Sequence, residues 1–298
     1  TVTGVQTCAL PIFSGNRDID RAVECMRMGA VDYLQKPVQK DRLVASLRRL
    51  IDSVYLSREN ESLRRRFLEK PAAPHHAFSG IVTSDPGMLA IMGYVEASAP
   101  SPHPFLLTGE TGTGKELFAR AIHRISGRAG EFVALNAAGL DDTFFSDTLF
   151  GHVSGAFTGA SRALPGLIDK ARDGSLFLDE VGDIPPASQV KLLRLIETGE
   201  YYPLGSDLLR RSRARIILAT NRDLEAEVEA GRFRKDLFYR LSSHRVELPP
   251  LRDRKGDIPA LVEHFSAQVC GEGNALPTLP RDQLDLFLAC EYPGNVRE

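Results

Sequence analysis

Gly109-Glu110-Thr111-Gly112-Thr113-Gly114-Lys115 has the residue types and spacing of a loop that wraps phosphate. Its glycines let backbone N–H groups turn inward around anionic oxygens. An apolar run at 105–108 leads in and a helical pattern at 116–125 leads out, so a positive helix end faces the same point and Lys115 can reach terminal phosphates. Glu116 stands where such loops commonly carry Ser or Thr, so a hydroxyl ligand for Mg2+ would have to be replaced by water or a neighbouring threonine. The second pattern is Ser175-Leu-Phe-Leu-Asp179-Glu180, an apolar strand ending in two acids. Asp179 is suited to holding Mg2+, and Glu180 to orienting and deprotonating an attacking water. By itself an Asp-Glu at a strand end is an ordinary solvated turn; beside a phosphate loop it completes the parts list for nucleotide hydrolysis. Asn221, after the apolar residues 216–220, is a candidate polar sensor between the acids and a γ-phosphate, with a simple turn-forming asparagine as the bland alternative. Arg234 and Arg240 lie six apart in Phe233-Arg-Lys-Asp-Leu-Phe-Tyr-Arg-Leu241 and are candidates for a guanidinium offered across a subunit boundary to a transferring phosphoryl group.

These residues must be held by alternating strands and helices. Strand-like apolar runs fall at 105–108, 132–136, 175–179, 215–221 and 245–248, separated by segments of helical character. That alternation predicts a mostly parallel sheet covered on both faces. Beyond Pro249-Pro250 the patterns at 258–288 are helical only, which predicts a small helical subdomain. Upstream, helical spacing over 17–28 closes at Gly29, a short strand is expected at 31–34, and a long helix runs over 41–67. In that helix Leu56, Asn60, Leu63 and Phe67 have the spacing of a coiled-coil seam with a polar residue at one core position, the alternative being the face of one surface helix packed on its own domain. Pro71-Ala-Ala-Pro-His-His breaks it as a linker.

The chain has 298 residues, 43% hydrophobic and 26% charged, which is ample for one large or two ordinary cores. A net charge of −2 gives no global pull toward nucleic acid or anionic membrane, so any DNA contact must be local or lie elsewhere. Cys8, Cys25, Cys270 and Cys290 are scattered, without a pairing framework or zinc-ligand spacing. No apolar run approaches the ~20 residues that span a bilayer, and a cytoplasmic location without membrane partners is expected. Residues 1–12, TVTGVQTCALPI, read as translated sequencing adapter and are set aside. Both ends read as cut, the last residues stopping inside what looks like the opening of a helix.

The segment Leu149-Phe-Gly-His-Val-Ser-Gly155-Ala156-Phe157-Thr158-Gly159-Ala160 resembles the signature loop of sigma-54-dependent activators, the NtrC family of AAA+ ATPases. An aromatic on a glycine-bounded loop forgoes burial worth about 2 kcal/mol unless a partner covers it. The resemblance extends over 80–298 through GETGTGKE at 109–116, LFLDE at 176–180, ATN at 219–221, FRKDLFYRL at 233–241, LPPLRDRKGDI at 248–258 and YPGNVRE at 292–298. It implies an α/β AAA+ P-loop ATPase with a helical lid, binding ATP and Mg2+ and acting on sigma-54 RNA polymerase through Gly155 to Ala160. By the same likeness Asn136 couples Glu180 to the signature loop, Arg234 and Arg240 act across a ring, and Arg297 is the sensor arginine of the lid. Glu116 after the lysine is the family's own habit. Departures are Thr148 and Val153 in place of acids, Asp173 in place of a glycine and Tyr292 in place of a tryptophan.

Met28-Gly-Ala-Val-Asp-Tyr-Leu-Gln-Lys36-Pro37 resembles the end of a flavodoxin-like two-component receiver, with Lys36 the phosphoryl-contacting lysine and Ser14 the switch hydroxyl. The implied organisation is a receiver remnant at 13–50, a coiled-coil linker at 51–78, the ATPase subdomain at 79–248 and the lid at 249–298. The phosphoacceptor aspartate of such receivers is not in this sequence. The implied partners are sigma-54 RNA polymerase, further copies of the chain (a dimer when inactive, a hexameric ring when active), a cognate sensor kinase, and promoter-upstream DNA through a domain expected past Glu298. Two alternatives stay open: a DNA-binding regulator without motor activity, against which the intact loop and acids speak, and an AAA+ ATPase with another protein client.

Overall fold

A computed structural model describes Ile12–Ser14, Tyr33–Gln35 and residues 75–270 and 280–298. Two units divide at residue 62. In the first, β1 (Ile12–Ser14) and β2 (Tyr33–Gln35) pair in parallel, with Ser14 opposite Gln35. The strand expected at 31–34 thus lies one to two residues later. The helices expected at 17–28 and 41–67, the seam through Asn60 and Lys36 itself lie outside the described residues.

In the second unit the chain order is α1 (Pro86–Ser98), β3 (Phe105–Thr108), α2 (Lys115–Ile125), β4 (Phe132–Asn136), α3 (Asp142–Phe150), β5 (Gly151–His152), β6 (Leu164–Pro165), α4 (Leu167–Lys170), β7 (Ser175–Asp179) and α5 (Pro186–Thr198). It continues with β8 (Glu200–Tyr201), β9 (Arg210–Arg211), β10 (Arg215–Thr220), α6 (Leu224–Glu229), α7 (Lys235–Leu241), β11 (His244–Glu247), α8 (Ile258–Cys270) and α9 (Arg281–Ala289). All five predicted strands of the main sheet are present. Two are shorter or shifted by one residue, because Asn221 turns out of β10 and His244 rather than Leu248 belongs to β11.

The main sheet is parallel throughout, in the order β11-β3-β10-β7-β4. Its central strand, β10, is buried at every residue, as a strand covered on both faces must be. Alternation sorts the side chains. Phe105, Leu107, Phe177, Ile217 and Ala219 pack with Met88, Met92, Val95, Phe118 and Ile122 of α1 and α2. Leu106, Leu176, Leu178 and Leu218 pack with Phe145, Leu149, Leu192, Leu195, Leu237 and Leu241 of α3, α5 and α7. Each such side chain contributes about 2 kcal/mol by leaving water.

Local signals set the helix ends. Asp85 caps α1 by accepting from the Met88 N–H at 2.9 Å, with Pro86 at the first helical position. Asp141 caps α3 through Phe144 N–H at 2.8 Å, and Gly199, at φ 71°, ends α5. The sequence pattern did not signal two small antiparallel hairpins, β5 with β6 and β8 with β9, whose two-residue strands are too short to carry a period. In the C-terminal part, Leu251, Ile258 and Leu261 form a separate small core with Val262, Leu288, Tyr292 and Val296 around it. The last residues make a 3-10 turn, Asn295–Arg297.

Candidate functional site

Strand order brings the scattered motifs to one edge. β10 enters the sheet between β3 and β7, so the phosphate loop after β3, Asn221 after β10 and Asp179-Glu180 at the end of β7 are neighbours at the carboxyl ends of the strands, where open α/β sheets bind ligands. β4 follows on the far side of β7, with Asn136 opposite Asp179 in register.

The loop needs its glycines. Gly109, Gly112 and Gly114 have φ of 148°, 82° and 105°, a backbone region closed to most L-residues. A Cβ on Gly112 would lie 2.1 Å from the carbonyl of Gly294, so the C-terminal segment sits directly on the loop. Thr113 and Lys115 are buried. Lys115 donates from Nζ to the carbonyls of Gly109 and Glu110 at 2.8 and 3.0 Å, with Asp179 and Glu180 within electrostatic reach. Burial lowers its pKa, opposed by the two acids and reinforced by the nearby positive charge of Arg297. Glu116, exposed at the start of α2, pairs with Arg120 one turn on at 2.7 Å.

Asn221 joins the halves of the site. Its Nδ2 donates to Thr111 Oγ1 at 3.2 Å and its backbone N–H to Glu180 Oε2 at 3.3 Å. Glu180 takes φ 53° and ψ 48°, a left-handed conformation costing a non-glycine residue about 1–3 kcal/mol and concentrated at functional positions. Its N–H donates to Asp179 Oδ1 at 2.9 Å. Asn136 is exposed and its Oδ1 accepts from Ala138 N–H at 2.8 Å, so in this conformation it caps a turn.

Arg234 and Arg240 lie apart from these groups. Arg234 is exposed and pairs with Asp236 through two bonds of 3.0 and 2.6 Å. Arg240 is half-buried on α7, with a buried Nε that has no hydrogen-bond partner. Arg297 is exposed at the end of the 3-10 turn.

Residues 151–165 form a hairpin that carries the GAFTGA hexapeptide at its tip. Gly155 and Gly159 have φ of 82° and 106°, and Gly155 N–H donates to the Ala160 carbonyl at 2.8 Å, closing the tip. Phe157 is 40% exposed and meets the edge of the His152 ring at 5.0 Å. Ala160 turns inward and is buried. His152 is tied to Asp147 at 2.5 Å and to the Arg162 carbonyl at 3.0 Å. The β8–β9 hairpin props this neck, Leu204 N–H donating to Gly151 and Val153 N–H to Leu204.

Sequence reasoning left three groups without a role. Arg252 grips Glu110 with two bonds of 2.8 and 2.6 Å, Asn295 donates to Glu110 and Thr111, and Arg254 donates to Thr113. The Arg252 guanidinium, helped by Asn295, holds the Glu110 carboxyl down at about 2. The signal was there in the 248–258 motif, which entered only as part of the family resemblance, with no role given to its arginines.

Residues 81–247 match the family model described as the sigma-54 interaction domain, and residues 252–298 that of the AAA+ ATPase lid domain. The chain belongs to the sigma-54-dependent, NtrC-type activator family. Among relatives of this sigma-54 family member, the transcriptional regulatory protein ZraR of Klebsiella oxytoca is 40% identical over 289 residues, covering 96% of this chain and 63% of that protein. The regulatory protein AtoC of Escherichia coli (strain K12) is 40% identical over 94% of this chain and 60% of its own length. The C4-dicarboxylate transport transcriptional regulatory protein DctD of Rhizobium meliloti (strain 1021) is 40% identical over 96% and 62%. The chain thus spans somewhat under two thirds of these relatives. NtrX from Brucella abortus, solved in complex with ADP, superposes with a TM-score of 0.67 at 33% identity over 96% of this chain and 60% of its own, and its ATP complex does so at 34% identity. As a sigma-54 family member the chain has the AAA+ architecture that the resemblance implied, built on the parallel sheet that the alternation of apolar and helical segments predicted.

Proposed function

We propose that this protein hydrolyses ATP in an oligomeric ring and uses the strokes of its 151–165 hairpin to remodel sigma-54 RNA polymerase at the promoter. The observation that carries the reading is the bridge made by Asn221 between the phosphate loop and Glu180, in the same unit whose separate β5–β6 hairpin carries the GAFTGA tip. Residues Gly109 to Glu116 cradle the phosphates of ATP, and Lys115 exchanges its loop carbonyls for β and γ oxygens. The residues present fit Mg2+ brought in with the nucleotide: Asp179 is a half-buried carboxylate beside the loop, and a metal that keeps phosphate and water ligands needs only one or two acids. Asp179 would hold that ion, which would supply charge neutralisation at the phosphates. Glu180 orients the attacking water and takes its proton. Asn221 senses the γ-phosphate. Arg234 and Arg240 reach the site of the adjoining subunit, and Asn136 passes the state of Glu180 toward the hairpin neck. Arg297 contacts the nucleotide from the lid.

Phe157 and Thr158 at the tip contact sigma-54. By family likeness the ring is a hexamer built from inactive dimers, and a cognate kinase and a DNA-binding domain complete the regulator. Tyr33–Gln35 and Ser14 fit a receiver remnant, in which Ser14 and Lys36 act as switch hydroxyl and phosphoryl-contacting lysine. The family likeness implies a cytoplasmic location; among the described residues no helix is long and apolar enough to cross a membrane. The test is phosphate release from ATP, together with capture of purified sigma-54 in the presence of ADP–aluminium fluoride. Phe157→Ala is expected to hydrolyse ATP and lose capture; Glu180→Gln is expected to bind ATP and lose hydrolysis. Retention of both activities in both variants would overturn the reading.

A further inference from the structure

Carbonyl groups of five successive phosphate-loop residues are engaged. Lys115 Nζ takes those of Gly109 and Glu110. Asn295 Nδ2 takes that of Thr111 at 3.0 Å, Val296 N–H that of Gly112 at 3.2 Å, and Arg254 Nη2 that of Thr113 at 3.1 Å. A peptide unit is planar, so a carbonyl held outward aims the next residue's N–H inward. Arg254 therefore orients the Gly114 N–H within the cradle.

Arg254 is 4% exposed, and a buried guanidinium is tolerated only with a partner. The partner is Asp257, fully buried, at 3.5 Å. Asp257 does not end the chain of contacts. Its carboxylate accepts from Thr83 Oγ1 at 2.7 Å, from the N–H groups of Ser84 and Asp85 at 2.7 and 3.1 Å, and from Ser84 Oγ at 3.4 Å. Those residues lead into α1, and Asp85 is its cap. The Arg254 Nε is buried without a hydrogen-bond partner, so the ion pair and the Thr113 bond are what hold this side chain.

We propose that Arg254 and Asp257 are positioning residues for the phosphate loop, and that through them residues 83–85, where the chain runs into α1, set its affinity for nucleotide. The proposal rests on the reading that the loop binds ATP. Movement of residues 83–85 withdraws donors from Asp257, loosens Arg254 and frees the Thr113–Gly114 peptide to rotate, without touching a reacting atom.

The experiment measures binding of fluorescent mant-ADP and steady-state ATP hydrolysis on the whole chain. Thr83→Val deletes one donor to Asp257 together with the acceptor of the Asp85 N–H, and Arg254→Lys keeps the charge but not the reach. Each is expected to weaken mant-ADP binding and raise the KM for ATP about five- to tenfold with kcat little changed. The nucleotide-free melting temperature of Thr83→Val should move by less than about 2 °C, and Thr83→Ser should restore affinity. Wild-type binding of mant-ADP with unaltered binding in both variants overturns the proposal alone. A weakening that follows loss of folded protein and is not rescued by Thr83→Ser overturns it as well. Absence of mant-ADP binding by the wild-type chain sinks both the proposal and the ATP reading.

Discussion

Glu180 is held in a left-handed backbone conformation at the end of a buried strand, with one carboxylate oxygen meeting the Asn221 N–H. Strain of this size persists only where surrounding packing enforces it, and here it turns the carboxylate away from the strand direction toward the loop. If Glu180 is the general base, Glu180→Gln should lower phosphate release by about 10²–10⁴-fold while mant-ADP affinity stays within about twofold, because the amide keeps the shape and loses the proton acceptor. Asp173 also has positive φ, 59°, where the family resemblance led us to expect glycine. Its ion pair with Arg172 is long, 3.9 Å, and exposed, so it does little to offset the strain. Asp173→Gly should raise unfolding stability by about 0.5–1 kcal/mol, read as a higher midpoint in urea.

The two hairpins act as one element. Gly205 in the β8–β9 connection has φ 71°, and a Cβ there would meet Ala156 at 2.7 Å, inside the signature hexapeptide. Leu204 is bonded to both Gly151 and Val153 at the neck. Gly205→Val should displace the tip while sparing the phosphate loop. The expected outcome is loss of most sigma-54 capture with ATP hydrolysis kept within about threefold. Equal loss of both activities would mean that the hairpins are wired into the hydrolytic site more tightly than their contacts indicate. At this scale Thr148 and Val153 replace expected acids, and the neck has another polar tie, Asp147 to His152 at 2.5 Å.

At the scale of the molecule, the amino end of the sheet has its own polar cluster. His244 stacks on Phe105 at 4.7 Å, and its ring nitrogens meet Tyr94 Oη and Ser101 Oγ at 3.0 Å each. Arg215 is fully buried nearby, donating to the carbonyls of Ala99 and Ser101. Burial, reinforced by Arg215 and His103, depresses the His244 pKa to about 4. The unfolded chain therefore takes up this proton first as pH falls. Stability tied to neutral His244 is complete above about pH 6.5, is lost as pH falls toward 4, and reaches a loss on the order of 3 kcal/mol below that. Urea unfolding from pH 7 to pH 4 should show this slope, and His244→Gln should flatten it; an unchanged slope in the variant would assign the titration elsewhere. The candidate site was legible in the sequence where it depends on short contiguous signals. A glycine run before a lysine and two acids ending an apolar strand each state a local conformation and a chemically active group, and a glycine-bounded aromatic states an exposed apolar tip. The parallel sheet was legible too, from apolar runs alternating with helical ones. The rest required tertiary structure. The place of β10 between β3 and β7, which puts Asn221 against both Thr111 and Glu180, is a long-range pairing that local periodicity does not encode. The same holds for Arg252, Arg254 and Asn295, more than 130 residues from the loop they grip: in the linear chain they are surface-type residues, and only burial of the lid against the phosphate loop gives their charges and amide a partner.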